Sequence, residues 1–345
     1  MPTHPFASVL HSGIVLIKRL STIQPKEAKV TLGVDIGSAS IKVIALGPKR
    51  PGGGRAILGQ HAAMFKDGPD SDGSEALKSA VEAVQPGVKV VNVAVSGPWV
   101  IMRVVEMPTL KPSEMKQALP FEAQRYLPFN IQEVMIDGVV LGPSDANKSW
   151  VLVVACKKEL IERRLDWARR AGLEVSLIDV DAVAVANAFL SSAEKKEQKV
   201  TRALINVGAQ FTNVVIFQGQ IPYLVRDIPW GAEKFTRSVA EQSGLDPAVV
   251  AQELVHPGTA GAELGSAMKT ATDPLLTELQ LSFDYFENRF GQPPEELLVC
   301  GGLGEAAGFV NALKSHLTQT VSAWTPAEGL SGRFAVAYGL ALRAG

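Results

Sequence analysis

A chain of 345 residues with 34 basic and 35 acidic side chains is nearly neutral, which argues against the basic excess of a nucleic-acid binder. Its 46% apolar content is that of an ordinary globular protein long enough for about two domains, and no apolar run of about 18 residues offers a membrane-spanning helix. Cys156 (VLVVACKK) and Cys300 (ELLVCGG) lie in apolar runs, which implies buried, reduced thiols and a reducing compartment; the five scattered histidines supply no zinc spacing.

In residues 1–29, Phe6, Val9, Leu10, Ile14, Ile17 and Leu20 recur at helical spacing, while Lys18, Arg19, Lys26 and Lys29 outweigh Glu27. The apolar run is too broken for a secretory signal. A leader without fixed structure, or a helix docked on the body, is the expectation; a helix lying in the membrane interface is the alternative.

Val30 to Leu46 (VTLGVDIGSASIKVIAL) reads as strand, glycine turn, strand. The turn Asp35-Ile36-Gly37-Ser38-Ala39-Ser40-Ile41-Lys42 combines a carboxylate, a residue without Cβ, two hydroxyls and a cation. Gly37, Ser38, Ala39 and Ser40 would let phosphate oxygens approach backbone N–H groups, and Lys42 would neutralise them. Asp35 would act through Mg²⁺ or its waters, because like charges repel. An ordinary tight hairpin is the competing explanation.

A third strand over Ala56 to Phe65, a helix over Ser74 to Val84 and a buried strand over Val88 to Val95 follow, with Ser96-Gly97-Pro98 as a breaker. A smaller module then begins with a strand over Val100 to Glu106. A helix follows with Ser113 as cap and Pro112 just outside, and Pro120 predicts a kink or restart. Strands over Glu133 to Leu141 and Ser149 to Cys156 flank the polar loop Pro143 to Lys148, and a helix over Lys158 to Ala171 precedes a strand over Glu174 to Val180. The Phe121, Tyr126, Leu127 and Phe129 cluster reads as core of this module, with an exposed groove for a partner peptide as the alternative. Arg163, Arg164, Arg169 and Arg170 read as a solvated face, with an anionic partner or lipid headgroups as the alternative.

Asp181 to Leu190 (DAVAVANAFL) is a small-residue helix suited to close packing, and the charged stretch Ser191 to Lys199 reads as a loop or hinge. Then strand, glycine turn, hydroxyl and strand recur over Ala203 to Phe217, about 170 residues after the first hairpin, which suggests a duplicated lobe. Ile221 to Ile228 is its third strand. Helices follow over Glu233 to Gln242, Pro247 to Leu254 (capped by Asp246) and about Gly265 to Arg289. Leu297 to Cys300 is a strand ending in Gly301-Gly302-Leu303-Gly304, and helices over Ala306 to Leu317 and Ala335 to Arg343 close the chain.

Together these motifs resemble the actin-like ATPase superfamily. The resemblance implies an α/β, duplicated ribonuclease H-like, two-lobed fold that clamps the phosphates of ATP between the hairpins Asp35 to Lys42 and Asn206 to Thr212. Phosphate contacts fall on Gly37, Ser38, Ala39, Ser40, Lys42, Gly208, Gln210 and Thr212. Gly301, Gly302, Leu303, Gly304 and Glu253 match the adenosine side, and Asp35 and Asn206 the Mg²⁺ side. Within the superfamily, Leu119-Pro120-Phe121-Glu122-Ala123-Gln124-Arg125-Tyr126-Leu127-Pro128-Phe129 with Asp137, Leu177-Ile178-Asp179-Val180-Asp181, and Ala337-Tyr338-Gly339-Leu340-Ala341-Leu342 resemble the PilM family of type IV pilus assembly, related to the division protein FtsA. That resemblance implies lobe 1A over 30–96, 175–200 and 331–345, an FtsA- and PilM-type inserted subdomain 1C over 97–174, and lobe 2A/2B over 201–330.

The family further implies a cytoplasmic ATP-binding scaffold, peripheral at the inner membrane. It would capture the cytoplasmic tail of a bitopic PilN-like partner near Phe121, Tyr126 and Phe129, with a homodimer or larger oligomer left open. Where the superfamily has an aspartate, this chain has Asn206, which weakens metal attraction and general-base assistance. Gln210 crowds a turn that usually carries a small residue. The expected lysine near Glu253 is missing from Ala251-Gln252-Glu253-Leu254-Val255. The expectation is at most a weak ATPase. No residue stands out as catalytic beyond Asp181, which plain N-capping explains as well. The rivals are a small-molecule kinase of the superfamily and an FtsA-like filament former. The first lacks a clear substrate-activating carboxylate, and the second normally carries a membrane helix beyond the last core helix.

Overall fold

The computed structural model describes residues 30–49, 54–65, 72–192, 200–255 and 261–343; the expectations for residues 1–29 and for most of the charged loop before Lys199 lie outside them. The chain divides into a first unit, Met1–Ser191 with Val336–Gly345, and a second, Ser192–Ala335.

The first unit opens with β1 (Thr31–Ile36), β2 (Ser40–Lys49) and β3 (Arg55–Met64), then α1 (Ser74–Val84) and β4 (Val90–Val95). An inserted module follows: β5 (Val100–Pro108), α2 (Pro112–Gln124), β6 (Val134–Asp145), β7 (Lys148–Lys157) and α3 (Lys158–Arg170). β8 (Glu174–Val180) and α4 (Asp181–Ser191) return to the main sheet. Its order is β3-β2-β1-β4-β8, with antiparallel pairs among the first three and parallel pairs for β1–β4 and β4–β8. Every residue of β1 is buried, as the continuous apolar run of a central strand demands.

The second unit holds β9 (Thr201–Val207), β10 (Thr212–Gln218), β11 (Ile221–Ile228), α5 (Ala232–Ser243), α6 (Pro247–Val255), α7 (Gly261–Phe290), β12 (Glu296–Cys300), α8 (Ala307–His316) and β13 (Thr320–Ala323). The sheet order β11-β10-β9-β12-β13, with the same alternation of antiparallel and parallel pairs, repeats the first unit strand for strand. The second unit's core stacks Trp230 on Phe309 and sets Phe235 edge-on to both, with centroids 5.3–6.0 Å apart. A last helix, α9 (Ala335–Leu342), belongs to the first unit from Val336 on.

The inserted module is a three-stranded antiparallel sheet, β5-β7-β6, with α2 laid on it through Met115, Leu119 and Ala123 against Val105, Met107, Val151 and Val153. Pro112 stands in the first turn of α2 instead of outside it, where its missing N–H costs nothing. The cap is Lys111, whose N–H donates to Glu114 Oε2 at 2.9 Å; Ser113 does not cap. The helix runs on through Pro120 without a restart. The polar loop expected between β6 and β7 shrinks to Ala146-Asn147, because both strands extend into it.

Cys156 and Cys300 are free and buried, and burial pushes the Cys156 thiol up to about 12 and Cys300 higher still. Both behave as small apolar residues. Among the described residues no helix is long and apolar enough to cross a membrane.

Candidate functional site

Each unit places a glycine turn between its first two strands, and both turns close the same way. Gly37 N–H donates to the Ser40 carbonyl at 3.1 Å, and Gly208 N–H to the Phe211 carbonyl at 2.9 Å. A Cβ on Gly37 would come within 3.2 Å of the Ser40 oxygen and 3.4 Å of Lys42 Nζ, so a side chain there would fill the space beside the cation. Asp35 and Lys42 face each other across β1 and β2, and Lys42 Nζ donates to Asp35 Oδ2 at 2.9 Å with the carboxylate buried. Ser38, Ala39 and Ser40 are half-buried.

A second cation at this turn comes from far along the chain and was not expected there. Arg164, on α3, donates from Nη2 to the Ile36 carbonyl at 3.3 Å and lies over the Trp167 ring at 4.9 Å. Burial first, then the neighbouring Arg163, brings its pKa down to about 10, while Asp181 and Asp35 pull it back up. The four arginines read as one solvated face therefore split. Arg169 and Arg170 pair with Asp166 and Asp72 at the surface. Arg163 turns to Trp99, at 5.8 Å from its ring, and Arg164 turns to the hairpin. Two aromatic faces and a carbonyl hold them where solvent was expected. Asp181, half-buried at the start of α4, contributes its charge to the same place.

In the second unit, the turn is braced by the start of α5. Ala232 and Glu233 N–H donate to the Gly208 and Ala209 carbonyls at 2.9 Å, an approach that a Cβ on Gly231 would block at 2.5 Å. Thr212 is fully buried and its hydroxyl donates to the Trp230 carbonyl at 2.8 Å, so that group serves the fold. Gln210 leans outward to Glu233 at 3.3 Å. Asn206 Nδ2 donates to Asn213 Oδ1 at 2.7 Å, and Asn213 Nδ2 to Asp227 Oδ1 at 2.7 Å, a buried polar chain across three strands. An aspartate in place of Asn206 would set a carboxylate against the Asn213 oxygen. Asn206→Asp is therefore expected to lower the second unit's stability by about 1–3 kcal/mol, read as a shifted denaturation midpoint. An unchanged midpoint would mean that the amide chain is oriented the other way.

Gly301 ends β12 at φ +85°, where a Cβ would meet the Val207 carbonyl at 2.4 Å. Only glycine fits there. Gly302 is exposed, and a Cβ on it would meet nothing within 4 Å, while Leu303 and Gly304 are buried. Glu305 anchors the following loop through Arg333 at 2.8 and 3.1 Å and through Ser331. Glu253 is half-buried on α6.

In the inserted module, Leu127 packs against the core as expected, but Phe121 is 75% exposed and Tyr126 lies at the surface, with its hydroxyl donating to Glu122 at 3.0 Å. The core is already filled by Met115, Leu119 and Ala123 from the opposite face of α2. Phe129 lies under Lys157 Nζ at 4.6 Å, which also caps Trp99 at 4.7 Å.

The first turn fits a phosphate: a backbone a Cβ would crowd, one paired cation and one cation without a carboxylate. Asp35 is the charged group that a magnesium ion would meet at this turn, and it is already paired with Lys42. Among the described residues no group of three or more His, Cys, Asp or Glu could hold a metal. Such a site suits an ion that keeps its waters and phosphate ligands.

Two ribonuclease H-like units of identical strand order, each with its glycine turn and the first with an inserted module, define the actin-like ATPase fold. Among solved structures the chain is similar to a PilM-PilN type IV pilus biogenesis complex, with 24% identity over 92% of this chain and 99% of that one and a TM-score of 0.79. It is also similar in fold to the ethanolamine utilization protein EutJ from Carboxydothermus hydrogenoformans (13% identity, 95% and 94% covered, TM-score 0.56) and to ADP-bound MreB5 of Spiroplasma citri (12%, 91% and 95%, 0.52). The model of the family described as type IV pilus assembly protein PilM matches residues 33–344, and the chain belongs to that family.

Proposed function

We propose that this chain is an ATP-binding scaffold of type IV pilus assembly, held at the cytoplasmic face of the inner membrane by the short tail of a PilN-like bitopic partner. The observation that carries the nucleotide part is the first hairpin, where Gly37 leaves room beside Lys42 Nζ and the turn closes on Ser40. Gly37, Ser38, Ala39 and Ser40 offer backbone N–H groups to the phosphates, Lys42 supplies charge, and Asp35 holds Mg²⁺ through its waters. Gly208 and Gln210 belong to the second unit's equivalent turn. Gly301, Gly302, Leu303 and Gly304, with Glu253, take the adenosine. A bound Mg²⁺ would screen the phosphates and polarise the terminal one.

Asn206, spent in an amide chain, supports binding without efficient hydrolysis. The surface position of Phe121 and Tyr126, with Phe129 beside Lys157, supports a partner tail on the inserted module. The PilN-like partner follows from the similar complex, whose name carries it. Lys42→Ala is expected to weaken ATP binding about tenfold by calorimetry, because it removes one charge-assisted contact. It should lower the first unit's melting transition as well, because it leaves the buried Asp35 carboxylate without its counter-charge. Unaltered affinity would move the phosphates away from this turn. Co-purification of a bitopic partner with the wild-type chain, and its loss on Phe121→Asp, tests the second half.

A further inference from the structure

Helix α3 carries Arg164 from the inserted module to the first hairpin, onto the carbonyl just before Gly37. That bond, at 3.3 Å, is long for an N–H donor and its acceptor is neutral. Arg164 Nε is enclosed without a partner, as is Arg163 Nε, and among the described residues neither arginine lies within salt-bridge distance of a carboxylate. Lys42, by contrast, is neutralised by Asp35 at 2.9 Å. Arg163 repels Arg164, while Asp35 and Asp181 attract it from beyond contact. A largely buried cation beside a like charge, held by one long hydrogen bond and the Trp167 ring face with no carboxylate in contact, is costly unless an anion completes it.

We propose that Arg164 contacts the terminal phosphate of a bound nucleoside triphosphate and so ties the inserted module to the nucleotide state. This rests on the assignment of phosphates to the first hairpin. A guanidinium fork matches two phosphate oxygens, and a charged acceptor outcompetes a carbonyl at 3.3 Å. The terminal group is the one assigned because it carries the most negative charge of the phosphate chain, and Arg164 donates to the carbonyl between Asp35 and Gly37, at the turn to which the phosphates are assigned. A diphosphate lacks that group, so Arg164 would stay on the Ile36 carbonyl. The pull reaches the module directly: β7 runs into α3 without a break, and Lys157 at the junction is held against Trp99 and Phe129.

Calorimetric titration of ATP and ADP into the full chain and its Arg164→Gln, Arg164→Lys and Lys42→Ala variants tests this. Arg164→Gln should weaken ATP about ten- to a hundredfold and ADP less than about twofold, with Arg164→Lys between. Lys42→Ala should weaken both nucleotides. If Arg164→Gln lowers both equally or neither, while Lys42→Ala lowers both, Arg164 does not contact the terminal phosphate and the hairpin assignment stands. A wild-type chain that binds neither nucleotide overturns both. Because Arg164 is packed on Trp167, hydrogen exchange of Lys158–Arg170 in the unaltered protein provides a test free of folding defects. Stronger protection with ATP than with ADP supports the contact, and equal protection overturns it.

Discussion

Gly339→Ala is expected to destabilise the first unit by more than about 3 kcal/mol, lowering its melting transition by roughly 6–12 °C. A Cβ at Gly339 would fall 1.8 Å from the Ala184 carbonyl oxygen, inside the covalent skeleton of α4, where no rotamer offers escape. The neighbouring strand closes the other side. A Cβ on Gly33 of β1 would meet the Ala337 oxygen at 1.9 Å and the Ala341 nitrogen at 2.5 Å. Helix α9 thus cannot slide away to make room. Its end is also pinned, since Asn92 Nδ2 donates to the Leu340 and Arg343 carbonyls at 2.9 and 2.6 Å, and Thr31 and Arg55 donate to the Ala341 carbonyl. These bonds satisfy last-turn carbonyls that a helix cannot satisfy itself. Gly302→Ala is the control, because open space surrounds that position. Urea denaturation followed by two probes, one per unit, separates the transitions; an unshifted first transition in Gly339→Ala would refute the close packing of α4 and α9.

What could be read from the chain, and what could not, follows from the range of the interactions. The two hairpins were legible because each is local: an apolar run, a glycine and a second apolar run determine strand, turn and partner within a dozen or so residues. Small residues in DAVAVANAFL announced close packing, though not that Gly339 was the contact. Arg164 could not be read, because its acceptor lies 128 residues earlier and a helix rich in arginine ordinarily faces solvent. Phe121 misled for a related reason: apolar character says that a residue can be buried, and only the filled face of α2 decides that it is not. β13 was missed because a four-residue edge strand with a single fully buried side chain, Val321, carries almost no periodicity. Thr212 and Asn206 were legible as positions but not as partners, since the Trp230 carbonyl and Asn213 that occupy them are set by pairing across the sheet.

Arg343→Met should cost the first unit about 3–5 kcal/mol at neutral pH, and the deficit should shrink in acid. Asp179 is wholly enclosed; its Oδ1 accepts from Val180 N–H at 2.9 Å, and Oδ2 faces Arg343 Nη1 at 3.3 Å. Burial raises the Asp179 pKa above its ordinary 3.8, with Arg343 and the Val180 N–H pulling it down. A carboxyl raised on folding holds its proton more tightly in the native state, so its contribution is fully present below the unfolded pKa and is lost as pH rises through the folded one. Arg343 limits that loss by attracting the carboxylate. With methionine in its place, Asp179 must either stay protonated or lie buried and charged alone, and both become costlier as pH climbs. Adding Asp179→Asn should return most of the stability, since an amide oxygen can still accept from Val180 N–H and needs no counter-charge. The four-member cycle, melted at about pH 5 and about pH 7.5, measures the coupling. A deficit that is the same at both pH values, and that Asp179→Asn fails to relieve, would show that Asp179 is not held as a carboxylate against Arg343 in the folded chain.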